Sequence, residues 1–300
     1  MAAAVVLAIG ALGGSVCASG HQAPAAPAGF DGSRAYAHLR DVVGFGPRPA
    51  GSAALDATRA YIKKQLAAVG VEAREQAFTA DTPMGPIRMV NLVATIPGRS
   101  PDRIVFGGHY DTKLFREFRF VGANDAGSST AFLIEWARVL KNRKNAFTSE
   151  IVFFAGEEAF VDWYVGNDNT YGSRHYVEAA RRAGALKQIR AMVLVDMIGD
   201  RDLHIRRELS STPWLTDIVW AAAKRLKRTD VFLDETTQID DDHLPFLRAG
   251  VPAVNIIDGP EDYAPWHTAG DTLDKVSARS LQTVGDVLLE ALPAIEKKLG

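Results

Sequence analysis

The chain has 300 residues, of which 47% are hydrophobic, and this is enough for one large α/β domain with a sizeable core. Its 34 basic and 36 acidic residues give a net charge of −2 and are scattered along the sequence. This balance argues against a highly charged partner, so binding to nucleic acid or to a membrane surface is not expected. The single cysteine, Cys17, excludes an intrachain disulfide.

The N-terminal segment has the composition of an export signal. Residues 2–16 are small and apolar, and they are too few to span a membrane. Val16 and Ala18 fit the small-residue pattern for cleavage after Ala18, so we interpret residues 1–18 as a signal peptide. The first basic residue is Arg34, so the positive segment that normally opens such a signal is missing.

The composition changes after this segment. Residues 19–32 are rich in proline, alanine and glycine and are expected to form a disordered linker. Residues 33–300 are then expected to form a single domain in a chain that is exported, either to the periplasm or out of the cell. Cys17 is an alternative attachment point for a lipid, which would anchor the exported chain to a membrane.

The elements that follow are predicted from apolar periodicity and from Gly/Pro breaks. Helices are predicted at 33–43 and 53–69, on either side of a Gly/Pro loop at 44–52, and a strand pair is predicted at 71–78 and 87–96. Beyond these, strands are predicted at 104–106, 151–155, 192–195 and 253–257, and helices at 130–140, 173–183, 214–226 and 277–292. Pro293 is expected to end the last helix or to kink it.

Continuous apolar strands that alternate with helices are typical of a mostly parallel sheet that is covered on both faces. The expected fold is therefore an α/β three-layer sandwich, with a mixed, mostly parallel central sheet and helices on both faces. In such sheets the ligand site lies beyond the carboxyl ends of the strands.

Acids and histidines follow three of the predicted strands at the point where each strand ends. They are His109 in GGHYDTK, Glu157 and Glu158 in FFAGEEAF, and Asp196 in VLVDMIG. Two further segments carry the same residue types, namely FVGANDAGSS with Asp125 and PWHTAGDT with His267 and Asp271. Burying so many acids is costly unless they are paired or bind a metal. Since His, Asp and Glu are the ligands of open zinc sites, the sequence predicts a catalytic zinc centre.

Together with YGSRH (171–175) and DDHLPFLRAGVP (241–252), these segments resemble the aminopeptidase-type zinc exopeptidases. Within that superfamily the sequence most closely resembles the glutaminyl-peptide cyclotransferases, or glutaminyl cyclases. The resemblance extends over roughly residues 36–292. It implies a zinc exopeptidase-like fold and a catalytic domain with one Zn²⁺ ion per chain. It also implies the reaction, which is cyclisation of the N-terminal glutamine of peptides or proteins to pyroglutamate with release of ammonia.

The resemblance further implies a role for each residue that matches the family pattern. The implied zinc ligands are Asp125, Glu158 and His267. The implied catalytic acids are Glu157, which carries a proton, and its partners Asp196 and Asp241. The residues implied to hold the substrate are Trp163, Ile239 and Trp266.

The chemistry of cyclisation explains why such residues are needed. The α-amine attacks the side-chain amide carbon of the same glutamine, and zinc can polarise that carbonyl as a Lewis acid. Glu157 can take the proton that the amine loses and pass it to the departing nitrogen. Nearby acids such as Asp196 and Asp241 are expected to raise the pKa of Glu157 through like-charge repulsion.

A two-zinc aminopeptidase, which releases N-terminal residues by hydrolysis, is the alternative that the same residues allow. His109 and Asp196 would then hold a second zinc that shares Asp125. A third hypothesis is a binding protein that has lost its activity, although members of that kind have usually lost metal ligands, and this chain retains every acid and histidine of the set.

Two residues favour the cyclase. Asp241 stands where the peptidases usually carry serine, and Trp266 directly precedes the implied ligand His267. Asn255 argues in the other direction, because animal cyclases carry a histidine at the matching position. The cyclase reading predicts peptides or proteins with N-terminal glutamine as partners and a monomeric chain without a membrane span.

Overall fold

The computed structural model describes residues 1–4 and 29–300. The helices are α1 (Gly32–Gly44), α2 (Ala53–Ala68), α3 (Gly127–Lys141), α4 (Tyr171–Arg182), α5 (Pro213–Arg225), α6 (Leu244–Arg248) and α7 (Ala278–Leu299). The strands are β1 (Ala73–Thr82), β2 (Gly85–Ile96), β3 (Ser100–His109), β4 (Phe147–Phe154), β5 (Ile189–Asp196), β6 (Ile205–Glu208), β7 (Phe232–Thr237) and β8 (Ala253–Ile257). The predicted cleavage site, Cys17 and most of the predicted linker lie outside the described residues.

Six strands form the central sheet in the order β1-β2-β4-β3-β5-β8. Strands β4, β3, β5 and β8 are parallel, while β1 and β2 extend the sheet through antiparallel pairs. This confirms the predicted mixed, mostly parallel sheet. Strands β6 and β7 form a separate parallel pair that the sequence did not predict, because neither contains a continuous apolar run.

Alternate residues of the central strands pack into two different cores. In β4, Ile151 and Phe153 join the core that also contains residues of α1, α2, α3, α5 and α7. Val152 and Phe154 point the other way and pack with residues of α4 and α6. Since successive strand residues face opposite sides of a sheet, both faces are covered by helices. The predicted three-layer sandwich is confirmed.

The two ends of the fold differ from the sequence prediction. Phe30 is buried, and its ring stacks on Phe132 of α3 at a centroid distance of 4.7 Å, so the packed structure begins before residue 33. Pro293 does not end the last helix, because α7 continues to Leu299 and buries Ile295 beyond the proline. Among the described residues, no helix is both long and apolar enough to cross a membrane.

The carboxyl edge of the sheet carries the acids and histidines that follow the strands. Strand β3 ends at His109 and β5 ends at Asp196. After β4, Gly156 turns the chain with φ +74°, and a Cβ atom there would lie 2.5 Å from the sulfur of Met89. Glycine is therefore required at this turn, which directs Glu157 toward the site described below.

Two buried aspartates meet close to this edge. Asp258 directly follows β8 and is fully buried, and Asp200 lies four residues beyond the end of β5. Burial, followed by the negative charge of Asp200, raises the pKa of Asp258 to about 8. The folded chain therefore keeps a proton on this carboxyl group at pH values where the unfolded chain has lost it.

This pair makes folding stability depend on pH. Asp258 is expected to make stability fall as pH rises from about 4 to about 8, because over this window its carboxyl group keeps a proton in the folded chain that it has lost in the unfolded chain. Asp258→Asn remains neutral, so it should show a shallower slope and exceed the wild type in stability at the alkaline end. Urea unfolding at about pH 5 and about pH 9 measures both effects. A variant that retained the full wild-type pH dependence would show that another group titrates.

Candidate active site and metal centre

His267 and two acids form one group that could hold a metal ion. His267 Nε2 lies 3.0 Å from Glu158 Oε1 and 3.3 Å from Asp125 Oδ2. One ligand atom from each of the three residues lies within 4.8 Å of the others. On the outer side, Lys113 Nζ donates to the carbonyl oxygen of Ala159 at 2.9 Å and lies 3.7 Å from Glu158 Oε2. The three implied zinc ligands are thus brought together.

A second group lies on the other side of Asp125. His109 Nε2 is 3.2 Å from Asp125 Oδ1 and 3.2 Å from Asp196 Oδ1. Their ligand atoms also lie within 4.8 Å of one another. Asp125 therefore offers one carboxylate oxygen to each group, as the two-metal alternative requires.

The site carries more negative charge than its own cations can balance. Burial raises the pKa of Glu157 well above its usual value, and although His109 opposes this, the charges of Glu158 and Asp241 add to it. Burial and the charge of Asp196 raise the pKa of Asp241 to about 7. A divalent cation would relieve this repulsion, and the imidazole and carboxylate donors suit zinc. The residues therefore fit the metal that the sequence predicts.

Aromatic rings fix the orientation of His267. Trp266 stacks on the imidazole at a centroid distance of 3.9 Å, and Phe115 and Phe120 approach it edge-on at 5.7 and 5.9 Å. Burial lowers the pKa of His267, but hydrogen bonds to Asp125 and Glu158 outweigh burial and raise it to about 9. The rings and the acids together direct Nε2 into the metal-binding group.

Backbone donors hold the segment that carries Glu157. Asp111 is fully buried, and its Oδ1 accepts the N–H groups of Gly156 at 2.9 Å and Glu157 at 3.3 Å. The carbonyl oxygen of Glu157 accepts the N–H of Thr170 at 2.8 Å. Both sides of the Glu157 peptide are therefore anchored.

Asp241 is held by Asn255, the residue that stands where animal cyclases carry a histidine. Asn255 Nδ2 donates to Asp241 Oδ2 at 2.8 Å, and the N–H of Asp242 donates to Asp241 Oδ1 at 2.6 Å. Asn255 is fully buried at the centre of β8, so this contact is shielded from water. Asn255 therefore donates a hydrogen bond to Asp241 although it lacks the imidazole ring of a histidine.

These residues surround a cavity of about 350 Å³ at the carboxyl edge of the sheet, a size that suits a small ligand. The residues with a role predicted from the sequence line this cavity, with the exception of His109, which is buried. The lining residues of this set are Asp125, Glu157, Glu158, Trp163, Asp196, Ile239, Asp241, Trp266 and His267. The sequence analysis did not single out the other eight lining residues, which are Lys113, Tyr164, Met197, Gln238, Asp240, Ile257, Pro260 and Glu261. Lys113 could have been noticed from its place in the HYDTK segment.

Asp271 ties the segment that carries His267 to the segment that carries Asp125. Its carboxylate accepts the N–H of Asn124 at 2.8 Å, the N–H of Asp125 at 3.1 Å and the hydroxyl of Tyr263 at 2.7 Å. Asp271 is fully buried. The sequence placed it in the cluster without a role, and its contacts now give it one, because it sets the backbone position of Asp125, which belongs to both candidate metal groups.

Comparison with known proteins places the chain in a family. Residues 91–292 match peptidase family M28. The chain belongs to this family. M28 enzymes are zinc-dependent, which agrees with the donor set at the site.

Three known proteins illustrate what the chain is similar to. The structure of a glutaminyl cyclase from an Acidobacteriales bacterium is 40% identical, with a TM-score of 0.85 over 92% of this chain and 98% of that chain. A leucine aminopeptidase precursor from Bacteroides thetaiotaomicron is 26% identical, with a TM-score of 0.80 over 88% and 97% of the two chains. A glutaminyl-peptide cyclotransferase-like protein from Bos taurus is 30% identical over 222 residues, which are 65% of this chain and 57% of the bovine protein. The chain thus spans a little over half of that relative's length. The matches confirm the zinc exopeptidase-like fold and the resemblance to glutaminyl cyclases.

The contacts of Asp271 generate a prediction about metal binding. Asp271→Asn is expected to weaken zinc binding by about 10- to 100-fold, because the amide nitrogen cannot accept one of the two backbone N–H groups that the carboxylate holds. Competition with a chromophoric chelator, on protein shown to be folded, measures the affinity.

A matched control separates this effect from general destabilisation. Glu296 accepts the N–H of Ala146 and pairs with Arg143 next to the amino end of β4, away from the metal groups. Glu296→Gln should lower the melting temperature and leave zinc affinity at the wild-type value. Wild-type zinc affinity in folded Asp271→Asn would contradict the role assigned to Asp271.

Proposed function

We propose that the chain is a zinc-dependent glutaminyl-peptide cyclotransferase that converts the N-terminal glutamine of peptides or proteins to pyroglutamate and releases ammonia. The observation that carries this proposal is the cavity, which buried Glu157 and Asp241 line together with a zinc-type ligand group and two tryptophan side chains. The similarity to a bacterial glutaminyl cyclase over 98% of that chain supports it.

Asp125, Glu158 and His267 are the proposed zinc ligands, with one ion per chain. Zinc bound by this group would act as a Lewis acid on the side-chain carbonyl of the substrate glutamine. The ring stacking on His267 and the contacts of Asp271 to the Asp125 backbone keep the donor atoms in place for this task.

Glu157 is the proposed proton carrier. In the reaction the α-amine nitrogen bonds to the side-chain amide carbon, and the bond from that carbon to the amide nitrogen breaks. Glu157 accepts the proton that the attacking amine loses and gives it to the departing nitrogen, which leaves as ammonia. Glu157 suits this role because it lines the cavity beside Glu158 and belongs to neither metal-binding group found among the described residues.

Asp196 and Asp241 are the proposed partners of Glu157. Asp241 is fixed by Asn255, and Asp196 Oδ1 accepts the N–H of Met197 at 2.8 Å and contacts His109. Both acids line the same cavity as Glu157. The negative charge of Asp241 favours a proton on Glu157 while the amine and amide nitrogens exchange it.

Trp163, Ile239 and Trp266 are the proposed walls of the glutamine pocket. They line the cavity together with the acids, and Trp266 also stacks on His267. Apolar walls suit cyclisation because the reaction consumes no water, and because the substrate must be held in a curled conformation that brings its amine to its side chain.

A two-zinc aminopeptidase is the second candidate. The contacts of His109 with Asp125 and Asp196 favour it, since they form a second group of metal-ligand type. The similarity to the leucine aminopeptidase precursor also supports it. The cyclase is preferred because Asp241 and Trp266, the two residues that favoured it in the sequence, both face the cavity.

The remaining proposals concern the setting of the enzyme. The substrates are peptides or proteins with N-terminal glutamine, and the active chain is a monomer. Export to the periplasm or the medium rests on the apolar composition of residues 2–16 and on the small-residue pattern at Val16 and Ala18.

The products of a glutamine peptide test the proposed function. Mass spectrometry of a peptide that begins with glutamine, incubated with the zinc-loaded protein, should show loss of one ammonia, faster than the spontaneous reaction and blocked by a chelator. Glu157→Gln should keep its zinc and lose about 10²- to 10⁴-fold in rate, because it removes the proton carrier and no ligand.

The alternative outcomes point to different enzymes. Release of the whole N-terminal residue would identify an aminopeptidase and contradict the cyclase. An unchanged peptide, with folded and zinc-loaded wild type, would restore the hypothesis of a binding protein without activity. Wild-type cyclisation by Glu157→Gln would exclude Glu157 as the proton carrier.

A further inference from the structure

The loop at residues 160–170 presents apolar side chains to solvent beside the cavity. Tyr164 is 86% exposed, Val161 66% and Val165 63%. Exposed large apolar side chains are few among the described residues, and three of them lie in this loop while a fourth, Trp266, lines the cavity. Apolar groups concentrated in this way beside a cavity mark a surface that contacts another molecule.

A buried acid braces the loop from within. Asp168 is fully buried, and its Oδ2 accepts the N–H groups of Val161 at 2.7 Å and Asp162 at 3.2 Å. Its Oδ1 accepts the hydroxyl of Tyr171 at 2.7 Å. A carboxylate with three donors fixes the path of the chain on either side of Tyr164.

Polar side chains fasten the second half of the loop. Arg174 of α4 donates to the carbonyl oxygens of Asn167 at 2.7 Å and Asn169 at 2.6 Å. Asn169 Nδ2 donates to the carbonyl oxygen of Trp163 at 2.6 Å. The apolar side chains therefore stand on a preformed surface, which reduces the ordering that a bound molecule would have to impose.

The loop is continuous with the catalytic cavity. Trp163 and Tyr164 line that cavity and also an adjoining one of about 160 Å³, and Asp240 and Asp241 form the rest of the shared wall. A polypeptide whose first residue occupies the catalytic cavity must leave through its mouth. The path along the shared wall passes over Tyr164.

We propose that the loop at residues 160–170 is a docking surface for the part of the substrate that follows its N-terminal residue. Tyr164 packs against an aromatic or aliphatic side chain at the second or third substrate position. This inference rests on the proposed function and adds a preferred substrate class to it.

A comparison of two substrates distinguishes binding of the later substrate residues from the cyclisation step itself. Glutamine amide contains only the residue that is cyclised, whereas Gln-Phe-Ala-amide adds the residues that would reach Tyr164. In Tyr164→Ser, the ratio of kcat/KM for the tripeptide amide to that for glutamine amide should fall about three- to tenfold, mainly through KM, since an aromatic contact is lost. Met84 is also exposed, in the turn between β1 and β2, and Met84→Ser should keep the wild-type ratio.

The outcomes bear separately on docking and on cyclisation. An unchanged ratio in Tyr164→Ser, with both substrates cyclised, would overturn the docking surface and leave the proposed function standing. Failure of the wild type to cyclise either substrate would overturn both. Sedimentation provides a further check, because a wild-type dimer that Tyr164→Ser dissociates without a change in the ratio would assign the loop to contact between copies of the chain and overturn the proposal.

Discussion

The structure depends on the burial of several carboxylates at one edge of the central sheet. Asp125, Glu157, Glu158 and Asp196 are all at least nine-tenths buried, and taking charged groups out of water is expensive unless opposite charge replaces the water. Two histidines and Lys113 supply part of that charge. A divalent cation would supply the rest, so the arrangement is suited to a metal before any reaction is considered.

Three segments that carry acids at this edge are positioned by side chains from elsewhere in the chain. Asp111 after β3 holds the turn after β4, Asp271 before α7 holds the backbone of Asp125, and Asn255 of β8 holds Asp241. The parallel sheet makes this possible because its strands deliver their carboxyl ends to a single edge. The same arrangement admits one metal or two, since Asp125 directs one oxygen to each group. Fold and family alone therefore do not choose between cyclase and peptidase, and the groups that face the substrate must decide.

Much of the fold and most of the site could be predicted from the sequence. The central strands are continuous apolar runs that end in acids or histidines, which identifies both the sheet and the edge that carries the site. Strands β6 and β7 were missed because IRRE and FLDETT are mostly polar, and Phe30 was assigned to the linker because its neighbours are proline, alanine and glycine. The roles of Asn255, Asp271 and Asp168 needed the structure. Asp271 acts on a residue 146 positions earlier and Asn255 on one 14 positions earlier, outside its own strand. Asp168 braces a loop whose path no periodic pattern reveals.

The central claim is that a single metal, held by Asp125, Glu158 and His267, serves cyclisation, while His109 and Asp196 hold no second metal. Its most direct test is to titrate metal-free protein with zinc and to follow pyroglutamate formation against bound zinc per chain. The account predicts that the rate rises linearly to one zinc per chain and does not increase further. A rate that stays low until a second zinc binds would contradict it, because the second group would then take part in the reaction.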